Sequence, residues 1–260
     1  MAYQYVAVDN RDHVTTITIN RPEVRNALHP PTSTELGQAF DAYRDDPEAW
    51  VAIITGAGDA AFSAGNDLKV AAQTGGKFDI RAWSGGFGGI TTRTDLDKPV
   101  IAAVNGVALG GGFEIALACD LIIASENALF GLPEPRVGFV AAAGGMQRLP
   151  RMIPMKLAMG MMLRAKPIDA REGYRLGIVN EVVPQKDLLA TARRWATEIM
   201  ECAPICVRVS KQTAYGSLHL PINEAIHFRP PLYDEYLKSE DHLEGPRAFA
   251  EKRKPNWKGK

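Results

Sequence analysis

Short apolar runs separated by polar turns dominate the N-terminal part of the chain. Residues 5–8 and 14–19 are rich in β-forming residues and flank a polar turn, which predicts two strands. Thr32 and Glu35 form a capping-box pattern that predicts the start of a helix, and the apolar run 51–55 predicts a buried third strand. This order of elements is typical of an α/β protein.

A similar unit follows in the middle of the chain. The apolar run 100–109 predicts an extended segment, the glycine triplet 110–112 interrupts it, and residues 113–119 predict a helix. Two more short strands are predicted at 121–124 and 128–133. Strand pairs that alternate with helices predict either an α/β sheet or a coiled stack of ββα turns.

The last third of the chain is mainly helical. Its apolar periodicity predicts one more short strand and six helices. The strand spans 178–183, and the helices span 152–163, 170–176, 186–202, 205–217, 221–238 and 244–252. Because these helices exceed what is needed to cover the α/β part, we expect some of them to pack on a neighbouring subunit.

Charge and composition exclude several classes of protein. The 260 residues include 30 Lys and Arg and 30 Asp and Glu, so the formal net charge is zero, and we expect no nucleic-acid partner. The longest apolar stretch, 100–124, is interrupted by polar residues and glycines, so no membrane span is expected. The N-terminus has no signal-peptide pattern, and the three cysteines have no metal-ligand spacing. We therefore expect a cytoplasmic protein without a metal site.

Two glycine-containing segments carry candidate backbone donors. The glycine triplet 110–112 opens a predicted helix but lacks the pattern of a P-loop or of a dinucleotide-binding loop. Its unobstructed N–H groups suit an anion or a developing oxyanion, whereas a tight turn with positive φ is the alternative. In the segment 62–68, Gly65 permits a close backbone approach, Asn66 offers a further N–H, and Asp67 is expected to cap the next helix.

Two glutamates lie in apolar or proline-rich surroundings. Glu114 occupies the first turn of an apolar predicted helix, where its charge suits the helix dipole. Glu134 lies between Pro133 and Pro135 after a predicted strand, so its direction is restricted. Desolvation raises the pKa of such carboxyl groups, and two of them beside an oxyanion hole would form an acid–base pair. From the spacing alone, both interpretations of Glu114 stay open.

The remaining candidates are weaker. The five histidines are scattered without the spacing of a nucleophile dyad or a metal site, so we expect them at surface or capping positions. The segment 74–89 combines many glycines with Trp83 and Phe87, which predicts a mobile segment.

Several motifs, found in a consistent order from about residue 5 to the C-terminus, resemble the enoyl-CoA hydratase/isomerase (crotonase) superfamily. They are residues 20–28 (NRPEVRNAL), 62–68 (FSAGNDL), 98–114 (KPVIAAVNGVALGGGFE), 130–134 (FGLPE) and 249–253 (FAEKR). The resemblance implies an α/β fold with a crotonase-like spiral of ββα turns over residues 1–200. It also implies a C-terminal helical trimerisation region over residues 201–260, within a homotrimer or a homohexamer built as a dimer of trimers.

The chemistry implied by this resemblance is the binding of an acyl-CoA thioester, whose carbonyl oxygen is held by two backbone N–H groups. By position, these donors belong to Asn66 and Gly111. Coenzyme A is part of the substrate, so no separate cofactor is implied. The resemblance also implies that nine residues lie around the coenzyme, two of which, Phe249 and Lys252, commonly reach it across a subunit contact. They are Arg25, Ala27, Leu28, Ala64, Asp67, Leu68, Lys69, Phe249 and Lys252. The tail 252–260 carries five basic and no acidic residues, which suits the phosphates of CoA.

Glu114 and Glu134 align with the two glutamates of hydratases in this superfamily. In that arrangement Glu114 orients and deprotonates the water that attacks Cβ, and Glu134 delivers or removes the proton at Cα. The resemblance therefore implies an enoyl-CoA hydratase of fatty acid metabolism, a lyase that adds water reversibly across the 2,3 double bond. One alternative is another reaction of the superfamily, namely double-bond isomerisation, carnitinyl-CoA-type dehydration, retro-aldol cleavage or C–C hydrolysis. The other is a non-catalytic scaffold that binds CoA or RNA.

One segment departs from the hydratase pattern. Where hydratases often have Pro-Gly-Ala-Gly-Gly-Thr-Gln, residues 141–147 have Ala141 in place of the proline and Met146 in place of the threonine. The N–H of Ala142 is still expected to hold the attacking water. Aromatic and apolar side chains are expected to line the acyl pocket, and these are Trp83, Phe87, Phe113, Phe139 and Met146. The acyl group itself stays open among a short fatty enoyl group, a carnitine-like group and an aromatic propenoyl group.

Overall fold

Two β-sheets with surrounding helices make up the computed structural model, which describes residues 3–75 and 83–260. The strands are β1 (Val6–Arg11), β2 (Val14–Ile19), β3 (Val51–Gly56), β4 (Ala61–Ser63), β5 (Val100–Val104), β6 (Val107–Leu109), β7 (Leu121–Ser125), β8 (Leu129–Gly131), β9 (Ile168–Asp169) and β10 (Glu181–Val183). The first eight helices are α1 (Pro30–Asp45), α2 (Leu68–Gln73), α3 (Gly111–Ala118), α4 (Gly145–Met152), α5 (Met155–Arg164), α6 (Ala170–Arg175), α7 (Leu188–Met200) and α8 (Pro204–Ser217). Three more follow, which are α9 (Ile222–Ala225), α10 (Tyr233–Tyr236) and α11 (Glu240–Ala250). Within the described ranges no helix has the length and apolar character that crossing a membrane requires.

The strand order shows a coiled stack rather than one open sheet. The larger sheet has the order β1-β2-β3-β5-β7-β10, and the smaller sheet has the order β4-β6-β8-β9. Three times in succession the chain leaves a strand of the larger sheet and next forms a strand of the smaller one, from β3 to β4, from β5 to β6 and from β7 to β8. Each turn therefore adds one strand to each sheet. The predicted α/β class is confirmed, with its strands arranged as stacked ββα turns.

The middle strands of the larger sheet are buried on both faces. In β3, Ala52 and Ile54 belong to the main core, which also includes residues of the smaller sheet, whereas Ile53 belongs to a second core. That second core contains Ala192 and Ala196 of α7, which covers the outer face of the sheet. Burial on both faces explains why the sequence of β3 is continuously apolar instead of alternating.

Helix α1 forms where it was predicted, but its first turn differs. His29 is the N-cap residue, Pro30 is the first helical residue, and no side chain caps the helix. Thr32 Oγ1 lies 2.6 Å from Nδ1 of His29, while the carboxylate of Glu35 accepts hydrogen bonds from two N–H groups near the N-terminus. The predicted capping box is wrong, because the helix begins two residues earlier, at Pro30, and Thr32 therefore lies inside its first turn instead of at the N-cap.

The segment predicted to be mobile is only partly described, since residues 76–82 lie outside the described residues. Its last part, Phe87–Gly89, forms a short 3₁₀ turn in which all three residues are buried. A Cβ added at Gly88 would lie 2.7 Å from Cγ1 of Ile115 in α3, so the turn packs directly on this helix. The tight packing of this part disagrees with the predicted mobility.

The C-terminal region consists of short helices with exposed apolar side chains. The helix predicted over 221–238 is divided into α9 and α10, because two prolines at 230–231 interrupt it. Side chains that are between 68% and 87% exposed belong to Leu218, Ile222, Ile226, Leu243 and Phe249. An apolar surface of this kind is typical of a subunit interface. The division at residue 200 and the oligomeric state stay predictions.

Candidate active site

Two loops from successive turns of the spiral meet at Gly65. This residue follows β4 and has a φ of +86°, and a Cβ at its position would lie 2.9 Å from the Gly111 nitrogen and 2.6 Å from the Leu109 oxygen. The loop is held from its other side by Leu28, whose N–H donates to Gly65 O at 2.7 Å and whose oxygen accepts from Asp67 N at 2.8 Å. Because Gly65 has no side chain, the loop after β4 can lie in direct contact with the start of α3.

Two backbone donors of these loops are unpaired. Among residues 3–75 and 83–260, neither the N–H of Asn66 nor the N–H of Gly111 has a hydrogen-bond acceptor. The Gly111 N–H belongs to the first residue of α3, where the helix supplies no acceptor and its dipole favours negative charge. Two unpaired donors on touching loops are what an oxyanion hole requires. The sequence prediction named the same two residues.

The glycine triplet is required by close packing as well as by its turn. Gly110 has a φ of +55°, the conformation that the alternative interpretation expected. A Cβ at Gly111 would overlap the ring of Phe87, and a Cβ at Gly112 would lie 2.9 Å from Cβ of Ser63. The tight-turn interpretation of the triplet therefore holds, and the role of the Gly111 N–H as an oxyanion donor stays a prediction.

Glu114 is a buried carboxyl group one turn into α3. Its residue is 3% exposed, and its Oε1 accepts a hydrogen bond of 2.8 Å from the N–H of Gly145. Burial raises its pKa to about 7, and the nearby charge of Glu134 also raises it. The Gly145 N–H, the Ala143 N–H and the charge of Arg148 act in the opposite direction. A carboxyl group with this pKa exchanges a proton readily near neutral pH.

Glu134 lies beside the same glycine triplet. It begins a short 3₁₀ turn, Glu134–Val137, and its Oε1 lies 3.1 Å from where a Cβ at Gly110 would be. Its Oε2 is buried and has no hydrogen-bond partner within the described parts of the chain. Burial raises the pKa of this carboxyl group too. The structure thus brings together two carboxyl groups with raised pKa values and two unpaired N–H donors.

The residues predicted to surround the coenzyme come from two paired loops. Arg25 O accepts a hydrogen bond of 3.0 Å from Ala64 N, and Leu28 and Asn66 form a parallel bridge. These contacts bring residues 25–28 and 64–69 together. Arg25, Leu68 and Lys69 are exposed, whereas Ala27 and Leu28 are buried. Coenzyme binding by these residues stays a prediction.

Asp67 has a structural function in this loop. Its Oδ1 accepts a hydrogen bond of 3.4 Å from Val70 N, which caps α2 as predicted. Its Oδ2 forms an ion pair of 3.1 Å with Arg21, and both side chains are largely buried. Asp67 therefore fixes the start of α2 to the loop after β2.

The donor predicted for the attacking water is already engaged. The N–H of Ala142 donates to Val140 O at 2.8 Å, so it is not available to a water in this conformation. The donor that reaches Glu114 is the N–H of Gly145, three residues further along the chain. The hydrogen bond from Ala142 N to Val140 O closes a tight turn centred on Ala141.

The described residues contain no group of three or more His, Cys, Asp or Glu side chains that could hold a metal ion. A family model described as "Enoyl-CoA hydratase/isomerase" matches residues 9–260 of the chain.

The chain belongs to the enoyl-CoA hydratase/isomerase family.

Known proteins agree with this assignment. A protein of Salmonella enteritidis PT4 named "Carnitinyl-CoA dehydratase" is 47% identical over 248 residues, which cover 94% of each chain. The crystal structure of an enoyl-CoA hydratase from Mycobacterium tuberculosis H37Rv has a TM-score of 0.91 and 37% identity, and the match covers 98% of this chain and 99% of that one. That of a carnitinyl-CoA hydratase from Mycobacterium avium has a TM-score of 0.78 and 42% identity over both full chains. The resemblance inferred from the motifs is confirmed, and with it the crotonase-like spiral.

The predicted acyl pocket of this family member is only partly assembled as expected. The rings of Trp83 and Phe87 lie 6.3 Å apart, and Phe87 packs against Gly111. Phe113 is instead a core residue, since it is fully buried and its ring lies 5.5 Å from that of Phe130. The prediction for Phe113 is wrong because residues 111–117 of α3 are all buried and the Phe113 ring packs within the main core. Phe139 and Met146 are about two-fifths exposed, at 40% and 39%.

The two tail residues expected to reach the coenzyme lie at the end of α11. Phe249 is in the last turn and is 87% exposed, and Lys252 follows the helix with a φ of +53°. This exposure suits a contact with a second subunit, which was the expectation from the family resemblance. Their contact with the coenzyme stays a prediction.

Three polar side chains that organise the site were not identified from the sequence. Arg21 pairs with Asp67, and Asn26 is fully buried and donates from Nδ2 to Ala61 O at 2.7 Å. The positive charge of Arg148 lowers the pKa of Glu114. In the sequence, Asn26 is only one polar residue within the motif 20–28. Its partner lies 35 residues away, and no local pattern indicates such a contact.

Proposed function

We propose that this protein is a hydro-lyase that adds water to, or removes it from, the 2,3 double bond of a 2-enoyl-CoA thioester. The observation that carries the proposal is the position of Glu114 and Glu134 beside two unpaired N–H donors. Relatives and solved structures named as hydratases or dehydratases support the same reaction class. An isomerase needs only one proton-transfer group at a time, whereas water addition uses two.

In this mechanism the thioester oxygen accepts hydrogen bonds from the N–H groups of Asn66 and Gly111. Negative charge develops on this oxygen as the enolate forms, so the two donors stabilise the transition state more than the bound substrate. Loss of one such donor typically costs about 3–4 kcal/mol of barrier. The donors belong to rigid loops and need no rearrangement when the charge appears.

The two glutamates divide the proton transfers. The Glu114 carboxylate removes a proton from the water whose oxygen forms a bond to Cβ, and protonated Glu134 supplies a proton to Cα. The product has gained one OH and one H, Glu114 is left protonated and Glu134 ionised. Transfer of one proton from Glu114 to Glu134, directly or through solvent, restores the starting state. Dehydration follows the same steps in reverse.

The first test is water addition by the purified protein to crotonyl-CoA and longer 2-enoyl-CoAs, followed as loss of the conjugated thioester absorbance. Glu114→Gln and Glu134→Gln are expected to lower kcat by about two to four orders of magnitude, because each removes one proton-transfer group. The exposed Glu126→Gln is the matched control and is expected to retain wild-type activity.

If wild-type protein neither hydrates any of these thioesters nor dehydrates their 3-hydroxyacyl counterparts, the proposal is wrong. Mass analysis of the products in the same assays detects isomerisation or C–C cleavage, and RNA binding without turnover would favour the scaffold alternative.

A second candidate substrate is carnitinyl-CoA, which the names of the 47% and 42% identical relatives favour. Its trimethylammonium group would need aromatic faces. The Phe87 ring lies against Gly111 of the glycine triplet, and the Trp83 ring lies 6.3 Å from that of Phe87. We expect dehydration of carnitinyl-CoA to exceed that of its neutral tert-butyl analogue by at least about tenfold in kcat/KM if the cation is recognised. Equal values for the two thioesters would remove this candidate without affecting the hydro-lyase proposal.

We also propose that residues 1–200 form the catalytic spiral and residues 201–260 an oligomerisation region, in a cytoplasmic homotrimer or dimer of trimers. The exposed apolar side chains of the C-terminal helices support this assembly. Light scattering coupled to size-exclusion chromatography measures the mass directly. A monomer at micromolar concentration would contradict the assembly but not the reaction.

A further inference from the structure

Arg148, which the proposed mechanism does not use, joins two walls of the candidate site. It lies in α4 and is half-buried, and its Nη2 donates to Thr91 O at 2.8 Å while its Nη1 donates to Ala143 O at 3.4 Å. Thr91 follows the buried turn that carries Phe87. The guanidinium therefore connects the segment beside the glycine triplet to the turn in front of α4.

That turn holds the hydrogen-bond donor of Glu114. Gly144 has a φ of +104°, and a Cβ at its position would overlap the Arg148 guanidinium, so the glycine makes room for the arginine. The next residue, Gly145, donates its N–H to Glu114 Oε1 at 2.8 Å. The backbone N–H of Arg148 itself donates to Gly144 O at 2.8 Å. Arg148 thus contacts Ala143 and Gly144, the first two residues of the three-residue turn 143–145 whose last residue donates to the Glu114 carboxyl group.

The charge of Arg148 also acts on Glu114. Burial lowers the pKa of the guanidinium, while the negatively charged forms of Tyr215, Glu114 and Cys119 raise it. A guanidinium stays protonated at neutral pH all the same. Its positive charge lowers the pKa of Glu114, against the effects of burial and of Glu134. The facing ionisable groups are therefore Glu114 and Cys119 from the α3 side, and Tyr215 of α8, which is hydrogen-bonded to Asp120.

We propose that Arg148 is a positioning residue, which fixes the 143–145 turn against the Thr91 segment and keeps Glu114 available as a proton acceptor. This inference rests on the proposed hydro-lyase function. Because Arg148 touches carbonyl oxygens and not the reacting atoms, it acts through Glu114. The electrostatic effect of Arg148 on Glu114 and its hydrogen bonds to the two carbonyl oxygens can be tested separately. A different cation at this position keeps the charge without both hydrogen bonds, and a neutral side chain removes both.

The test compares Arg148→Met and Arg148→Lys with Arg151→Met one turn further on. Arg151 is exposed and donates to a backbone carbonyl of its own helix, that of Gln147, so it is the matched control. In hydration assays, Arg148→Met is expected to move the acid limb of the kcat profile upward by about one pH unit, because the opposing charge on Glu114 is lost. Arg148→Lys keeps a charge but reaches only one carbonyl, so we expect a lower kcat with the acid limb of the wild type. Arg151→Met is expected to match the wild type.

A measurement that needs no turnover separates this inference from the proposed function. The C=O stretch of protonated Glu114, assigned by its loss in Glu114→Gln, is followed by infrared difference spectroscopy across a pH titration. We expect its midpoint to rise by about one pH unit in Arg148→Met and to stay unchanged in Arg151→Met. An unchanged midpoint in folded Arg148→Met overturns the inference even if the protein is a hydratase. If Arg148→Met does not fold, Arg148→Lys decides, since wild-type kcat in that variant contradicts the need for the two carbonyl contacts.

Discussion

Buried acidic side chains in this protein differ mainly in what they pair with. Asp67 and Glu114 are both less than a tenth exposed, at 7% and 3%. Asp67 has an ion pair with Arg21 and caps α2, so it is part of the framework. Glu114 interacts with the backbone N–H groups of Gly145 and Ala143 and has no ion pair among the described residues, and Glu134 has a buried oxygen without a partner. Carboxyl groups left in this state have raised pKa values and suit proton transfer.

Glu114→Gln is expected to make folding stability less dependent on pH. The folded-state pKa of about 7 lies above the ordinary value of 4.5, so the folded protein binds this proton more tightly than the unfolded chain. The resulting stabilisation is complete below the unfolded-state pKa and is lost as the pH rises through about 7. Gln stays neutral and keeps an acceptor for the Gly145 N–H.

Urea denaturation at several pH values measures this effect. Relative to the wild type, the free energy of unfolding of Glu114→Gln should gain up to about 3 kcal/mol between roughly pH 4.5 and pH 8. The exposed Glu126→Gln should follow the wild type. Parallel pH dependence of Glu114→Gln and the wild type would show that Glu114 is not the buried acid described above.

At the level of elements, function depends on the contact between two loops that neighbouring turns of the spiral supply. The loop after β4 and the start of α3 are 45 residues apart when counted from Asn66 to Gly111, yet their backbones touch at Gly65. Parallel pairing of β4 with β6 brings them together, because it places the carboxyl ends of both strands at one edge. The same pairing of β6 with β8 brings Glu134 to that edge.

Gly111→Ala is expected to abolish most activity while the protein still folds. The added methyl group overlaps the Phe87 ring, so either the ring or the start of α3 has to move, and the Gly111 donor moves with it. We expect a loss of about 100-fold or more in kcat, and a loss of about 1–3 kcal/mol in stability from overpacking.

Gly160→Ala provides the comparison in the same molecule. Gly160 lies in α5 with no atom within 4 Å of an added Cβ. That substitution should leave kcat unchanged and raise the free energy of unfolding by up to about 1 kcal/mol through helix propensity. Wild-type kcat in Gly111→Ala would mean that the Gly111 N–H is not an oxyanion donor.

At the level of the whole molecule, the C-terminal tail is tied down but its aromatic residue is not covered. Asp241 accepts hydrogen bonds from Lys258 N at 2.7 Å and Gly259 N at 2.9 Å, and Trp257 Nε1 donates to Glu201 O at 2.8 Å. These bonds hold the tail along α11. Phe249 nevertheless stays 87% exposed, which a single subunit does not explain.

Lys252→Gln is expected to weaken binding of the coenzyme without slowing the chemical step. If the tail reaches the coenzyme, KM for a 2-enoyl-CoA should rise by about three- to tenfold through the loss of a charge-assisted contact, while kcat stays unchanged. A 2-enoyl-pantetheine thioester lacks the nucleotide, so its KM should not change. Lys186→Gln, an exposed lysine elsewhere in the chain, is the control. An equal rise in KM for both thioesters, or none for either, contradicts a contact with the nucleotide part.

Much of the candidate site could be predicted because its residue types are unusual for their local sequence context. An anionic residue in an apolar helix, as at Glu114, and glycines at a strand-to-helix junction, as at Gly111, are unusual enough to mark a functional position. Ala142 and Phe113 were misplaced because the direction of an N–H or a side chain depends on the turn in which it lies. Arg148 was missed because its acceptor Thr91 O is 57 residues away and nothing near either residue signals the contact.

The sequence by itself determined the alternation of strands and helices and the family. It also singled out both glutamates and both candidate donors, whose roles stay predictions. These follow from local chemistry, since apolar periodicity, glycine content and short motifs are properties of neighbouring residues. Only the tertiary structure decided that Gly65 touches Gly111, that Gly145 and not Ala142 supplies the donor beside Glu114, and that Arg148 holds that turn in place. Each of these contacts joins segments that are distant in the chain. Such contacts form only when the chain is folded, so no local sequence pattern encodes them.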